Sequence, residues 1–236
     1  MKHKIIPQEV LKLIACVTMF IDHFGYVVVP QLPVPYVMEL YYACRAIGRV
    51  AFPIYAFLLV EGMHRTRNPH KYILRLAVGI LLAELPFDYL FDGFVNWEYQ
   101  SVMVTLTLGA VMVLCMQKTQ KIWLKLLMVI SFGILAELTK CDYGAWGIAM
   151  ITVFALFDRT LFRTMGLFLV NMLDNHMVVP VLGLQVSFQL IAVLAMVPIA
   201  LYSGKKLTRS KAVQWAFYLF YPVHMLFLLG ILWLLT

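Results

Sequence analysis

Long apolar stretches alternate along the chain with short breaks that contain charged residues, proline or glycine. A transmembrane helix needs roughly 20 mostly apolar residues, and such breaks mark its ends. The pattern predicts nine membrane-spanning helices, with approximate limits 10–29, 37–63, 72–91, 102–117, 122–138, 143–157, 162–179, 184–203 and 213–235. The sixth is short, and the seventh contains Asp174 and His176, which either line an outer vestibule or end that helix.

Composition supports the same fold class. With 63% hydrophobic and 13% charged residues and a mean hydropathy of +0.86, the 236-residue chain is unlike an ordinary soluble protein. No internal repeat, low-complexity tract or flexible linker interrupts it. We therefore predict an all-α, polytopic transmembrane bundle in which residues 1–236 form a single domain.

The basic residues are distributed unevenly between the breaks. One set of alternate breaks holds 15 of the 19, and the other holds only Lys140. Because cytoplasmic loops are enriched in Lys and Arg, this asymmetry predicts a cytoplasmic N-terminus and an outer C-terminus in a bacterial cytoplasmic membrane. The net charge of +7 is then a property of loops at the lipid headgroups, and we predict no nucleic-acid partner.

The cysteines and the basic start of the chain do not indicate any further type of site or processing. The four cysteines show no paired spacing, so we predict neither a disulfide framework nor a metal site. Cys16 and Cys44 are possible acyl carriers, although cysteines in apolar helices are usually small hydrophobes. No signal-peptide cleavage site follows the basic start, so the first span is expected to be retained.

Ionisable side chains inside the predicted spans are the candidate functional residues, because such groups are costly in hydrocarbon unless they pair or face a wet cavity. At about 1.5 Å per residue, the depths of these side chains extend from the midplane into the outer half of the hydrocarbon layer. Arg45 and Arg49 are i,i+4 neighbours on one helix face, and Glu84 and Asp88 are i,i+4 neighbours on another. Two cations can therefore oppose two or three carboxylates. The set comprises Asp22, His23, Arg45, Arg49, Glu84, Asp88 and His224.

Two interpretations of this polar layer are open. It is either an ion-pair network that fixes helix packing, or a catalytic site in which a histidine acts as general base. Neighbouring side chains on a helix point in different directions, so the carboxylate that orients each histidine is not fixed by sequence. Gly48, between the two arginines, allows another backbone to approach closely.

A basic segment, Glu61 to Arg75, follows the second predicted span. Its simple interpretation is a topology signal at the headgroups. Its functional interpretation is a site for the phosphates of an anionic cytoplasmic donor, because Arg binds phosphate bidentately. The candidate binding residues are His64, Arg65, Arg67, Lys71, Tyr72 and Arg75.

Several motifs together resemble the TraX family. They are LKLIACVTMFIDHFGYV (11–27), RAIGRVAFPIYAFLLVEG (45–62), the R-T-R-N and K-Y-x-x-R-L elements through residue 76, LAELPFD (82–88) and FYPVHMLFL (220–228). The likeness covers most of the chain and is most specific in its first 90 residues. The family's namesake acetylates the amino terminus of a conjugative pilin subunit. The resemblance implies a multi-span acyltransferase, with Asp22, His23, Arg45, Arg49 and His224 at family-typical positions.

Together these observations predict transfer of an acetyl group from cytoplasmic acetyl-CoA to a peptide, glycan or lipid acceptor. His23, with His224, would remove the acceptor proton, and Arg45 or Arg49 would stabilise the oxyanion. The alternative is a proton-coupled transporter or flippase of an anionic small molecule, with acidic residues and histidines relaying protons. A purely structural membrane protein would have less use for so many buried charges.

Overall fold

The chain folds into a bundle of helices with one short hairpin. The structure, a computed structural model, describes residues 4–174, 178–181, 184–208 and 210–235. The helices are α1 (Gln8–Val27), α2 (Val37–Gly48), α3 (Ala51–Arg65), α4 (Pro69–Phe91), α5 (Val102–Gln117), α6 (Ile122–Leu138), α7 (Gly144–Leu156), α8 (Thr160–Met172), α9 (Met196–Ala200) and α10 (Lys211–Leu235). Two 3-10 helices cover Val29–Gln31 and Phe188–Ala195.

The lengths and composition of the helices confirm a helical membrane protein. Within the described residues, three helical stretches have the length and composition to cross a bilayer: Gln8–Gln31, Val37–Arg65, which joins α2 and α3, and Lys211–Leu235. Shorter apolar helices cover Val102–Gln117, Gly144–Leu156 and Phe188–Ala200. Hydrocarbon requires every backbone group to be hydrogen-bonded internally, and helices meet this requirement without a partner.

The second predicted span is divided into α2 and α3 by a turn at Arg49 and Val50. Pro53 explains the division, because it has no N–H to donate to the carbonyl of Arg49 four residues earlier. The amide of Val50 instead donates to the carbonyl of Ile47, three residues back (3.3 Å). The break places Arg49 at the junction of two helices.

The seventh and eighth predicted spans differ most from the structure. Helix α8 ends at Met172, and an antiparallel hairpin of β1 (Val178–Val181) and β2 (Leu184–Ser187) follows. The first strand is valine-rich, as strands commonly are. Ser187 accepts a hydrogen bond from the amide of Gln189 and so begins the 3-10 helix. His176 lies outside the described residues.

The connections between helices gather at two opposite ends of the bundle. At one, here called the basic end, the Ile6 carbonyl accepts from the amide of Ser203 (2.8 Å), and Arg65 donates to the Gly204 carbonyl (2.6 Å). At the other, the distal end, the loops 92–101 and 139–143 meet through hydrogen bonds between Gln100 and Asp142 (2.8 Å). The loops that the charge pattern assigned to opposite sides of the membrane therefore lie at opposite ends of the bundle.

Candidate active site

The core of the polar layer is an ion-pair cluster between α1 and the α2–α3 junction. Asp22 is only 9% exposed. One of its carboxylate oxygens pairs with Arg45, and the other lies 3.0 Å from Nη2 of Arg49. Arg49 also donates from Nη1 to Oε1 of Gln189 (3.1 Å). With two guanidinium groups on one carboxylate, the cluster carries an excess positive charge.

Gly48 allows this cluster to form. A Cβ atom at this position would lie 2.0 Å from Oδ1 and 2.2 Å from Cβ of Asp22, well inside van der Waals contact. A similar contact, 2.3 Å from the Cβ of Cys44, would arise at Gly25. Small residues thus bring α1 and α2 together, and Asp22 reaches both arginines because position 48 has no side chain.

His23 points to a different partner from its neighbour Asp22. Its Nδ1 lies 2.8 Å from Nε2 of His224, and Nδ1 of His224 lies 2.8 Å from the carbonyl of Phe220. A carbonyl only accepts, so a neutral His224 carries its proton on Nδ1 and accepts at Nε2. His23 must then donate from Nδ1, which leaves the Nε2 lone pair available as a proton acceptor. In the contacts of this pair, a second histidine and a carbonyl orient the base, and no carboxylate does.

Glu84 and Asp88 are close to the layer but do not contact the arginines in the described structure. Glu84 accepts from the hydroxyl of Ser101 (2.6 Å) and from its amide. Asp88, 4% exposed, accepts from the amide of Asn96 (3.1 Å). Both carboxylates therefore fasten the loop 92–101 to α4. In the described structure one carboxylate, Asp22, pairs with the two arginines, where sequence predicted two or three.

A cavity of about 400 Å³, here called the central cavity, lies against the ion-pair cluster. Asp22, His23, Arg45 and Arg49 all line it. Aromatic rings form much of the remaining wall, including those of Phe91 and Tyr143. The structure therefore brings the candidate base and both candidate cations to one open space.

A smaller, mostly apolar cavity of about 160 Å³, here called the tunnel, adjoins the central cavity on the side of the basic end. It shares Met19, Tyr55 and Val102 with the central cavity and is lined by Gln8 and Lys12 towards the basic end. A mostly apolar cavity thus lies between that end and the polar layer.

Of the predicted phosphate-binding residues, one lines the tunnel and the other five are not among its lining residues. Tyr72 lines it directly, and the guanidinium of Arg75 lies 5.8 Å from the Tyr72 ring centre. Arg65 is paired with Glu61 and donates to a carbonyl, which reduces its capacity for phosphate. The other candidates, His64, Arg67 and Lys71, are exposed. Lys12, which was not among the candidates, lines the mouth.

A third cavity, here called the outer cavity, opens at the distal end and measures about 520 Å³. It shares Arg49, Tyr99, Asp142 and Tyr143 with the central cavity. Its wall also carries carboxylates and amides, and Asp174, predicted for an outer vestibule, is among them. These further polar residues are Glu98, Glu137, Lys140, Asn171, Asp174 and Gln189.

Asp142 is the residue at the junction of these cavities that sequence did not single out. It lies between α6 and α7, where Tyr99 donates to its Oδ1 (2.8 Å) and its own following amide does so too (3.0 Å). Burial raises the pKa of the Asp142 carboxyl, while the hydrogen bond from Tyr99 and the charge of Arg49 oppose that rise. In sequence it stands in an ordinary polar break, which is why no pattern indicated it.

The fold and site define a helical membrane protein with a largely buried arginine–aspartate–histidine centre, which cavities adjoin on the sides of both ends. The sequence profile described as TraX protein matches residues 7–232. The chain belongs to the TraX family, as the motifs in its first 90 residues predict.

One curated relative supports this assignment. The chain is 28% identical over 231 residues, covering 91% of each sequence, to a protein of Dichelobacter nodosus described as "Probable fimbrial assembly protein FimC, serogroup H1". No solved structure matches the chain.

Proposed function

We propose that this protein is a multi-pass acetyltransferase of the bacterial cytoplasmic membrane. In this proposal it has nine spans, with a cytoplasmic N-terminus at the basic end and an outer C-terminus. Acetyl-CoA enters from the cytoplasm, and the acceptor reaches the same centre from the outer cavity. The reaction joins two substrates that approach from opposite sides of the bilayer.

The observation that supports the proposal is a series of three adjoining cavities that share lining residues. The tunnel meets the central cavity at Tyr55 and Val102, and the central cavity meets the outer cavity at Arg49 and Asp142. An apolar tunnel with a basic mouth suits a pantetheine arm whose phosphates remain at the headgroups. A polar outer cavity suits an acceptor that arrives from water.

The chemical roles follow from the hydrogen bonds. The acceptor nitrogen or oxygen attacks the thioester carbonyl, and Nε2 of His23 takes its proton. General-base catalysis of this kind contributes about 10²- to 10⁴-fold in rate. The carbon–sulfur bond then breaks, and the same imidazolium returns the proton to the leaving thiolate of CoA.

Of the two arginines, Arg45 is the better donor to the oxyanion. Arg49 already donates from Nε to the carbonyl of Arg45 (3.2 Å), to Gln189 and to Asp22. Among the described contacts, Arg45 donates only to Asp22. Its remaining N–H groups can meet the developing charge without giving up a bond, as a preorganised oxyanion site requires.

The outer cavity favours an amine acceptor over a hydroxyl. Four carboxylates line it, Glu98, Glu137, Asp142 and Asp174, against the cations Arg49 and Lys140. An excess of negative charge attracts a protonated amine. The ammonium group gives up one proton to the water of the cavity before its nitrogen attacks, and His23 takes the second. The fimbrial assembly assigned to the Dichelobacter nodosus relative supports an acceptor connected with fimbriae or pili.

The direct test is binding of acetyl-CoA to the detergent-purified protein by calorimetry. We expect micromolar binding that is weakened when Arg67 and Arg75 are both changed to Ala. A protein with Lys118→Ala and Lys125→Ala, which removes one charge from the loop between α5 and α6 and one from the first turn of α6, should bind normally. A folded protein without any affinity for acetyl-CoA would refute the proposal.

Catalysis is tested in proteoliposomes with labelled acetyl-CoA on one side and an amine-bearing peptide on the other. His23→Ala should retain acetyl-CoA binding and lose label transfer. His70→Ala, which changes an exposed histidine of α4 that is not among the candidate residues, is the matched control. Wild-type transfer by a folded His23→Ala protein would remove His23 from the role of base.

The second candidate function is proton-coupled transport of an anion, because a series of adjoining cavities between the two ends also suits a transport route. The paired histidines and the excess positive charge at Asp22, Arg45 and Arg49 would then relay protons and bind the anion. The apolar lining between Leu58 and Leu106 weighs against passage of a charged solute. Uptake into proteoliposomes in the absence of any acyl donor would favour transport.

A further inference from the structure

A fourth cavity, here called the lateral groove, lies outside the proposed reaction path. It measures about 490 Å³ and runs between α4 and α10, with Met103 of α5 as part of its wall. Gly79 opens it, because a Cβ there would lie only 2.6 Å from the terminal methyl of Met103. The groove is a cleft between two neighbouring helices of the bundle.

The apolar part of the groove faces outward. Val78 and Leu82 of α4 are 45% and 49% exposed, and Leu219 of α10 is 42% exposed. In a membrane protein, surfaces of this kind contact lipid chains rather than water. An apolar chain in the groove would therefore replace bulk lipid without uncovering a polar group.

The groove becomes basic at the end that the sequence places in the cytoplasm. Arg75 and Lys211 line it there, both exposed, and neither forms an ion pair within the described residues. Trp215, 56% exposed, lines the same region, where tryptophan rings commonly lie at the headgroup level. No acidic residue is among the described residues that line the groove, so its charge complements an anion.

The length of the groove corresponds to one leaflet. From Leu74 to Leu82 it extends about 12 Å along α4, and from Lys211 to Pro222 about 16 Å along α10, at about 1.5 Å per residue. Half of a roughly 30 Å hydrocarbon layer is about 15 Å. A chain that starts at the basic residues thus ends near the midplane, where Pro222 interrupts the hydrogen bonding of α10.

We propose that the lateral groove binds one anionic phospholipid of the cytoplasmic leaflet. Its phosphate lies between Arg75 and Lys211, and one acyl chain follows Val78, Leu82 and Leu219. Because Tyr218 and Tyr221 line both the groove and the tunnel, the bound chain completes the lateral wall of the tunnel. Arg75 is also among the residues proposed to meet the CoA phosphates, so the test uses Lys211, which lines the groove and not the tunnel.

Native mass spectrometry of delipidated protein with dioleoyl phosphatidylglycerol and dioleoyl phosphatidylcholine tests this. We expect one phosphatidylglycerol bound in preference to phosphatidylcholine. Lys211→Gln should weaken phosphatidylglycerol binding about fivefold, since each basic side chain near an anionic surface adds roughly that factor. Lys118→Gln, a loop lysine at the basic end but outside the groove, should have no effect.

A second pair of variants tests the position of the chain. Val78→Trp fills the groove and should weaken both lipids, whereas Leu127→Trp, on the exposed surface of α6, should not. Glycerol phosphate without acyl chains should displace neither lipid. Equal affinity for the two lipids, equal effects of Lys211→Gln and Lys118→Gln, equal effects of the two tryptophans, or displacement by glycerol phosphate would each overturn the proposal.

Discussion

Asp22→Asn is the substitution that most directly tests the ion-pair cluster. The side chains of Asp22, Arg45 and Arg49 are only 13%, 19% and 15% exposed, so water compensates little when the carboxylate charge is removed. Breaking a buried ion pair costs about 3–5 kcal/mol, and slight exposure places the expected loss near about 3 kcal/mol. In a chain of this size 1 kcal/mol shifts Tm by about 2–4 °C, so we expect a decrease of about 6–12 °C.

The measurement is thermal unfolding of the detergent-purified protein, followed by a thiol-reactive dye at the buried cysteines. The matched control is Asp158→Asn, since Asp158 pairs with Arg163 at 3.8 Å while its own side chain is fully exposed. An exposed pair of this kind contributes little, so Tm should stay close to that of the wild type. Equal shifts for the two variants would refute the view that the cluster holds α1 against the α2–α3 junction.

Three further predictions concern the same layer. Gly48→Ala should lower both Tm and transfer activity, because the new Cβ would lie 2.0 Å from Oδ1 of Asp22; Gly230→Ala, with nothing within 4 Å, should leave both unchanged. His224→Phe should lower acetyl transfer about 10²-fold or more while acetyl-CoA binding, measured by calorimetry, persists, because His23 loses the acceptor that fixes its tautomer. Burial raises the pKa of Asp142, so the folded state retains that proton to a higher pH than the unfolded state. Wild-type stability should therefore decrease from pH 3.8 up to the raised pKa, and Asp142→Asn should reduce this dependence in Tm measured across pH; an unchanged pH profile would contradict it.

Sequence was sufficient for the features that depend on the bilayer as solvent. Long apolar stretches must be helical in hydrocarbon, so the fold class followed from the pattern alone. The cost of an ionisable group in that environment made Asp22, His23 and the two arginines conspicuous, and the structure places them around one cavity. His224, 201 positions from His23 in sequence, came from the same argument and contacts it directly.

Sequence could not predict which of several possible partners a polar side chain contacts. Nothing in the spacing of Glu84 and Asp88 distinguishes an arginine partner from the amides and hydroxyl of the loop that follows them. The break between α2 and α3 depends on Pro53, but a proline early in a long apolar run is also compatible with a kinked continuous helix. Asp142 belongs to the site only because the α6–α7 connection folds back over Arg49.

The charges and the open space of the layer bear on the two interpretations of it that sequence left open. A network that only fixed helix packing would be most stable if its charges cancelled and its surroundings were closed, because an unpaired charge in a low dielectric is costly. Here Asp22 is shared by two guanidinium groups. About 400 Å³ of open space adjoins them, and Asp92 and Asp142 line that space without an ion pair to either arginine in the described structure. Incompletely paired charges beside an oriented base and an open cavity cost stability, whereas arginine N–H groups that face a cavity can stabilise a developing anion. We therefore propose that the polar layer serves chemistry in the cavity rather than packing of the helices around it.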